Sequence, residues 1–354
     1  MSENSGKGIS LDSIALPVAA VFFACLIFYF AAPILIPMTI AVATAYTLTP
    51  VIEFLKRFKI PHFLAVLLVM LALLGIGAFI IIIVISELAD LARDLPQYQQ
   101  SIQEAIDSAE TWINSQLVQF PGLAIDLQAY KFDPANIAGA GKLLFKGLGS
   151  ITSLALSGFL LFFLTYFILS DYQMYVRKIV MLFGQGRQET QSAILGQIDH
   201  QLRGFLVVKL LITLTLSIIY TIGFLIFGIP YAYIWGPLAG ILNLIPYVGP
   251  IIGAIPPIII AGIAKSSLTS MLWVTLFIFT IQMLESNVVT PRLTANTVDL
   301  NPLAVLVSSI IWGYLWGGIG VVLAIPITAA IKVLCDHTAT LEPIGVLLGG
   351  KREG

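Results

Sequence analysis

The side chains best able to do chemistry gather late in the chain, where the uncharged run "MLWVTLFIFTIQML" gives way to "ESNVVTPRLTANTVDLNP". Glu285 opens that stretch, Gln282 lies one helical turn before it, and Asn287, Pro291 and Arg292 follow. A carboxylate, a guanidinium and amides thus fall within about ten residues, beside a proline that interrupts a helix. A charge in apolar surroundings is costly unless it faces protein or water, so an ionisable group beside such a run is a functional candidate. A carboxylate there can take up and release a proton in step with a solute, or pair with Arg292 and hold a gate shut. The plainer reading of the same residues is a wet helix end at an interface. Lys209, near the start of another apolar run, reads as a side chain that snorkels to the interface.

A second stretch, "NLIPYVGPIIGAIPP", breaks the backbone without offering a solvated turn. Asn243 opens it, Tyr247 is the next side chain able to hydrogen-bond, and the rest is proline, glycine and aliphatic residues. Irregular backbone at membrane depth is tolerated only where it is buried in protein or lines a cavity. Transporters use such breaks to present polar groups to a solute near the midplane. The candidate path or coupling residues are therefore Glu285, Asn287, Arg292, Gln282, Asn243 and Tyr247. The candidate helix-breaking residues are Pro246, Gly249, Pro250, Pro256, Pro291, Pro302 and Pro326. Pro246, Gly249 and Pro250 are expected to free backbone groups that Asn243 and Tyr247 can share with a solute.

Signatures of catalysis are missing. "GAGK" (139–142) lacks the glycine and the hydroxyl residue of a phosphate loop, and neither HExxH nor GxSxG occurs. His62, His200 and His337 are far apart, and Cys25 and Cys335 read as small apolar side chains. No catalytic residue, metal site, cofactor or nucleic-acid surface is expected.

The elements that must hold these residues are helices in a bilayer. Hydrophobic residues make up 58% of the 354 and charged residues 10%, against about 25% charged in a soluble domain. The expectation is an all-α, polytopic integral membrane protein with seven or eight transmembrane helices, some broken or re-entrant, and an extracytoplasmic helical insert. Residues 1–85 hold the N-terminal spans, the first of them retained rather than cleaved as a signal. Residues 86–147 form the insert, and 148–203 a span followed by a cytoplasmic amphipathic segment. Residues 204–335 form the C-terminal transport core and 336–354 a cytoplasmic tail. Lys56, Arg57 and Lys59, with Arg177, Lys178, Arg187 and Arg203, place their loops in the cytoplasm, which puts the N-terminus inside.

Two amphipathic patterns lie outside the core. Leu88, Leu91, Leu95, Tyr98, Ile102, Ala105, Ala109 and Trp112 form a heptad seam, with Pro96 expected to kink or start a helix. It packs either on a helix of the same insert, such as "PANIAGAGKLLFKGL", or on a neighbouring subunit. Ile194, Ile198, Leu202 and Phe205 form a stripe that suggests a helix lying on the membrane surface, or a solvated connector with one buried face.

Taken with Gly317 and Gly320, the proline, glycine, Asn243, Tyr247, Glu285, Asn287 and Arg292 pattern resembles the autoinducer-2 exporter family, the PerM-like permeases. The order of the elements resembles it too, over nearly the whole chain. The resemblance implies a bacterial inner-membrane permease that exports a small polar signalling molecule or moves another small solute, as a homo-oligomer. Some relatives are described as sodium/proton antiporters, so cation/proton exchange stands beside export of a neutral polar solute. A membrane scaffold or sensor that transports nothing is the alternative from another class.

Overall fold

A computed structural model describes residues 11–117, 151–182, 188–265, 268–294, 297–338 and 340–350. The second half of the expected insert (118–147), with "GAGK" and its candidate partner helix, lies outside the described residues. Within them every regular element is helical. The helices are α1 (Leu11–Phe30), α2 (Ala32–Arg57), α3 (His62–Leu117), α4 (Ile151–Leu182), α5 (Gln188–Ile226), α6 (Ala232–Leu242), α7 (Val248–Lys265) and α8 (Leu268–Leu284). A π-helical turn (Glu285–Val289), α9 (Thr290–Thr294), α10 (Pro302–Asp336) and α11 (Glu342–Leu348) complete the chain. Five stretches, 32–57, 62–91, 194–226, 268–294 and 302–336, are long and apolar enough to cross a bilayer. Shorter apolar helices cover 157–172, 232–242 and 248–264. Aliphatic and aromatic side chains cover much of the outer surface of these helices, as expected where the surroundings are lipid tails.

Two expectations change outside the core. The helix continues past Pro96 rather than starting there. Residues 188–203 form the first turns of the same helix that carries the span to Ile226, not a separate surface helix. Arg203 near its polar end meets Glu53 of α2 (3.1 Å) and Asp199 (3.5 Å), which anchors that end to the bundle.

α6 and α7 form a helical hairpin rather than one broken span. Ala239 of α6 faces Gly253 of α7, and Leu242 faces Gly249, so the two helices run antiparallel away from a tip at 243–247. α6 also runs antiparallel to α5, with Gly236 against Thr221 and Gly240 against Ser217. These two glycines are spaced i, i+4, which lets membrane helices approach backbone to backbone. At eleven residues, α6 reaches only partway along α5. An apolar core of Ile212, Leu216, Phe224, Ala239, Ala261 and Val274 fills the space between α5, the hairpin and α8.

The tip satisfies much of its own backbone. The amide of Leu244 donates to Ile241, that of Ile245 to Leu242 (2.9 Å), that of Val248 to Pro246 and that of Gly249 to Ile245. Tyr247 turns the chain with φ +62°. The expectation of backbone groups freed for a solute is thereby corrected. Apolar surroundings cannot accept those bonds, so the chain closes them itself.

The run 302–336 is a second hairpin. Gly317 takes φ +65° and ψ −148°, outside the helical region, a conformation that glycine adopts without a Cβ penalty. Beyond it the chain turns back. Gly320 sits against the carbonyl oxygen of Trp312, Gly313 against Val321, and Lys332 pairs with Asp299 at 3.0 Å. A straight helix would hold residues 302 and 332 about 45 Å apart. The turn is cushioned by Trp312, Trp316 and Phe28, whose carbonyl accepts the Trp316 indole N–H at 3.0 Å. Pro256 and Pro326, expected as helix breaks, lie inside helices that continue past them.

Gly320→Ala separates the hairpin from a straight span. In a straight helix the change would stabilise by up to about 1 kcal/mol. In the hairpin the new Cβ meets the Trp312 carbonyl, and a loss of about 1–3 kcal/mol is expected. Thermal unfolding in detergent reads the sign, with Gly318→Ala, which points into open space, as the control.

Candidate functional site

The tip of the first hairpin meets the π-turn at the end of α8. Asn243 and Glu285 are each only 6% exposed. The Asn243 Nδ2 donates to Glu285 Oε1 at 3.3 Å, and the Gln282 Nε2 donates to Glu285 Oε2 at 3.0 Å and to Asn243 Oδ1 at 3.4 Å. The Thr290 hydroxyl donates to Glu285 Oε1, and the Tyr220 hydroxyl from α5 reaches Gln282 Oε1 at 3.5 Å. A buried carboxylate is tolerable only with such partners. Here they come from the tip (Asn243), from the carboxylate's own helix (Gln282) and from α9 (Thr290).

The π-turn decides which side chains join. It inserts one residue into the helical repeat, so positions beyond it shift in phase by about 100°. Its i→i+5 bond, from the Thr290 amide to the Glu285 carbonyl, brings Thr290 onto the face of Glu285. The same shift takes Arg292 off that face, where an unbroken helix would have placed it at i+7. Arg292 is exposed, and among the described residues no ion pair joins it to Glu285, so the expected gate pair is replaced by a hydrogen-bonded carboxylate. Asn287 is also exposed and donates to the Met283 carbonyl (2.9 Å) and to Ser286. Tyr247 is 57% exposed at the tip.

The remaining candidates fall into place around this cluster. Pro246 lies in the break, while Gly249 and Pro250 lie in the first turn of α7. Pro291 follows the π-turn as the second residue of α9, and Pro302 opens α10 after an Asn301 cap whose side chain accepts from the Ala304 amide. The reading of Glu285 as a wet helix end does not hold, because the carboxylate is buried.

Sequence reasoning missed Tyr220 and Thr290. It also missed a polar stripe on α5: Lys209, Thr213, Ser217 and Thr221 recur at i, i+4 within an apolar helix, and that spacing was the available signal. Ser217 and Thr221 return their hydroxyls to carbonyls one turn back (2.7 and 2.6 Å). The Thr213 hydroxyl is buried and unpartnered among the described residues. Lys209 is half-buried and within the electrostatic reach of Glu285. The arrangement can hold a carboxylate dry and next to hydroxyl and amide groups, a setting for hydrogen-bond recognition or proton exchange rather than for covalent chemistry.

Truncation tests the cluster. Asn243→Ala leaves part of a buried carboxylate without its donor, and a loss of about 1–3 kcal/mol is expected. Asn287→Ala, on the exposed side of the same π-turn, is expected to stay within about 0.5 kcal/mol. Unfolding midpoints of the two purified variants check the contrast.

Comparison with known proteins places the chain among transporters. It is 29% identical over 324 residues to the AI-2 transport protein TqsA of Escherichia coli, covering 90% of each chain. It is 27% identical to the putative transport protein YrrI of Bacillus subtilis over 86% of each chain. A putative transport protein of Haemophilus influenzae is 23% identical over 97% of this chain and 98% of its own. The model of the AI-2E family transporters matches residues 16–340, taking in both hairpins and the Glu285 cluster, and the chain is a multi-pass membrane transport protein of the AI-2E family.

Proposed function

We propose that this protein is a secondary transporter that exports a small, polar, mostly uncharged solute past the tip of the α6–α7 hairpin, with Glu285 as the proton-binding or gating group. One observation carries the reading. A carboxylate buried among apolar helices is held by side chains from a re-entrant tip and a π-turn, and both are features found at functional sites in membrane transporters. The chemistry of the neighbours favours a neutral solute over a cation. Asn243, Gln282 and Thr290 all turn donors toward Glu285, whereas a bare cation wants converging oxygens. The name of the TqsA relative points to autoinducer-2, a quorum-sensing signal, as the first solute to try.

The same reading puts the protein in a bacterial inner membrane as a homo-oligomer. The end of the bundle carrying Lys56, Arg57, Lys59 and Arg203 faces the cytoplasm, as basic loops do. α1 then begins inside, the first hairpin enters from the outer side and the second from the inner side.

Reconstitution into proteoliposomes tests the proposal. Wild-type protein is expected to move autoinducer-2 or a related small polyol, and Glu285→Gln to insert normally while flux falls on the order of tenfold or more. Asn287→Ala is expected to transport like the wild type. Undiminished flux in Glu285→Gln would remove the coupling role. Sodium-dependent proton movement with no solute flux would replace export by cation/proton exchange.

A further inference from the structure

Away from the Glu285 cluster, a cavity of about 870 Å³ opens at the basic end of the bundle between α2, α3, α4 and α5. Its construction is specific. α4 leaves helical geometry at Asp171 (φ −114°, ψ 17°), which lines the cavity. The break meets a partner in His62 at the start of α3, whose Nε2 bonds the Leu169 carbonyl at 3.1 Å. Arg203 of α5 reaches in from the far side. Its two terminal nitrogens are engaged by Glu53 and Asp199, and Asp199 in turn accepts the Tyr172 hydroxyl. Those pairings fix the guanidinium, yet its Nε–H is buried and has no partner among the described residues.

The other cations of the cavity are Lys56 and Lys178. Among the described residues neither makes an ion pair. Glu53 is occupied by Arg203, so Asp171 is the one other carboxylate of the lining. Two uncommitted ammonium groups around one cavity, beside a guanidinium fixed by its own carboxylates, make a site for a doubly or singly charged oxyanion, whose oxygens accept several N–H bonds at once. The volume lies within the range of small-molecule sites, about 300–1,000 Å³. The exposed side chains of Met174 and Met181 give the cavity an apolar margin. That suits a phosphate carried on an amphiphile at the membrane edge.

We propose that this cavity binds a phosphate group, held by Lys56 and Lys178. The phosphate belongs either to a phospholipid head group or to a soluble phosphate. The site is separate from the Glu285 cluster, since none of its lining residues is among the described hydrogen-bond partners of Glu285.

The full-length protein in detergent supplies the test, with two probes run side by side. Native mass spectrometry counts retained phosphatidylglycerol, and the unfolding midpoint is followed against inorganic phosphate at constant ionic strength. The Lys56→Gln/Lys178→Gln variant is compared with Arg57→Gln, which removes a neighbouring charge that does not line the cavity. Wild type and Arg57→Gln are expected to bind alike, and the double variant about tenfold more weakly. Loss of lipid retention in the double variant assigns the site to a phospholipid. Loss of the phosphate-induced shift alone assigns it to a soluble phosphate. Equal binding in all three proteins, or no binding of either probe to the wild type, overturns the proposal.

Discussion

A carboxyl group buried among apolar helices has no solvent to bond to, so the fold around Glu285 must bring hydrogen-bond partners to it. Much of the architecture follows from that requirement. Gln282 is supplied by the helix itself, one turn earlier. Thr290 arrives only because the π-turn shortens the angular distance between positions 285 and 290. Asn243 arrives only because α6 stops at Leu242 and delivers its cap residue to the same depth as the end of α8. For α6 to stand close enough, its backbone must lie almost against α5, and Gly236 and Gly240 provide that approach over Thr221 and Ser217. Substituting any one of these elements with a regular helix would leave the carboxylate short of a partner.

A second condition falls on both hairpins: a chain that turns back among apolar helices must close its own hydrogen bonds. The two meet this condition differently. At 243–249 the backbone winds through tight turns that pair its amides locally, leaving the Asn243 side chain to serve the site. At Gly317 a single left-handed residue reverses the chain, and the space around it is filled by Trp312, Trp316 and Phe28. The returning arm is then fastened at its far end, where Lys332 bridges Asp299 and Asp336 and the Asn301 side chain donates to the carbonyls of Leu347 and Gly349. The C-terminal helix α11 thereby closes over the start of α10 as well as its end.

Composition made the helical membrane class legible, because so few charges cannot cover a soluble core. The break at 243–247 and the carboxylate at 285 were legible for the same reason, since each is an anomaly against an apolar background. Their meeting was not legible. It depends on α6 and α7 being arms of a hairpin, and prolines report that a helix stops without reporting the angle at which the chain goes on. The separation of Arg292 from Glu285 has a narrower cause. Reading a face from 3.6-residue spacing assumes an uninterrupted α-helix, and the π-turn adds a residue that no side chain announces. Gly317 was visible as part of the glycine pattern, yet glycine permits both a kink and a full reversal. Pro256 and Pro326 show the opposite error, since a helix packed among other helices can carry a proline and continue.

The two hairpins differ in what they leave for a solute. Around Gly317 the side chains are aromatic and aliphatic, and the Trp316 N–H is committed to the Phe28 carbonyl. Around Asn243 the bonds that join the cluster to its surroundings are long, 3.4 Å from Gln282 to Asn243 and 3.5 Å from Tyr220 to Gln282. Nearby on α5 the Thr213 hydroxyl is buried with no partner among the described residues, and so is the Trp235 indole N–H on α6. A polar solute competes only where existing bonds are weak or groups are unpaired, because exchanging a good bond for another gains nothing net. By that criterion the α5–α6–α8 junction is one place, among the described residues, where hydrogen-bonding capacity is left over beside a buried carboxylate.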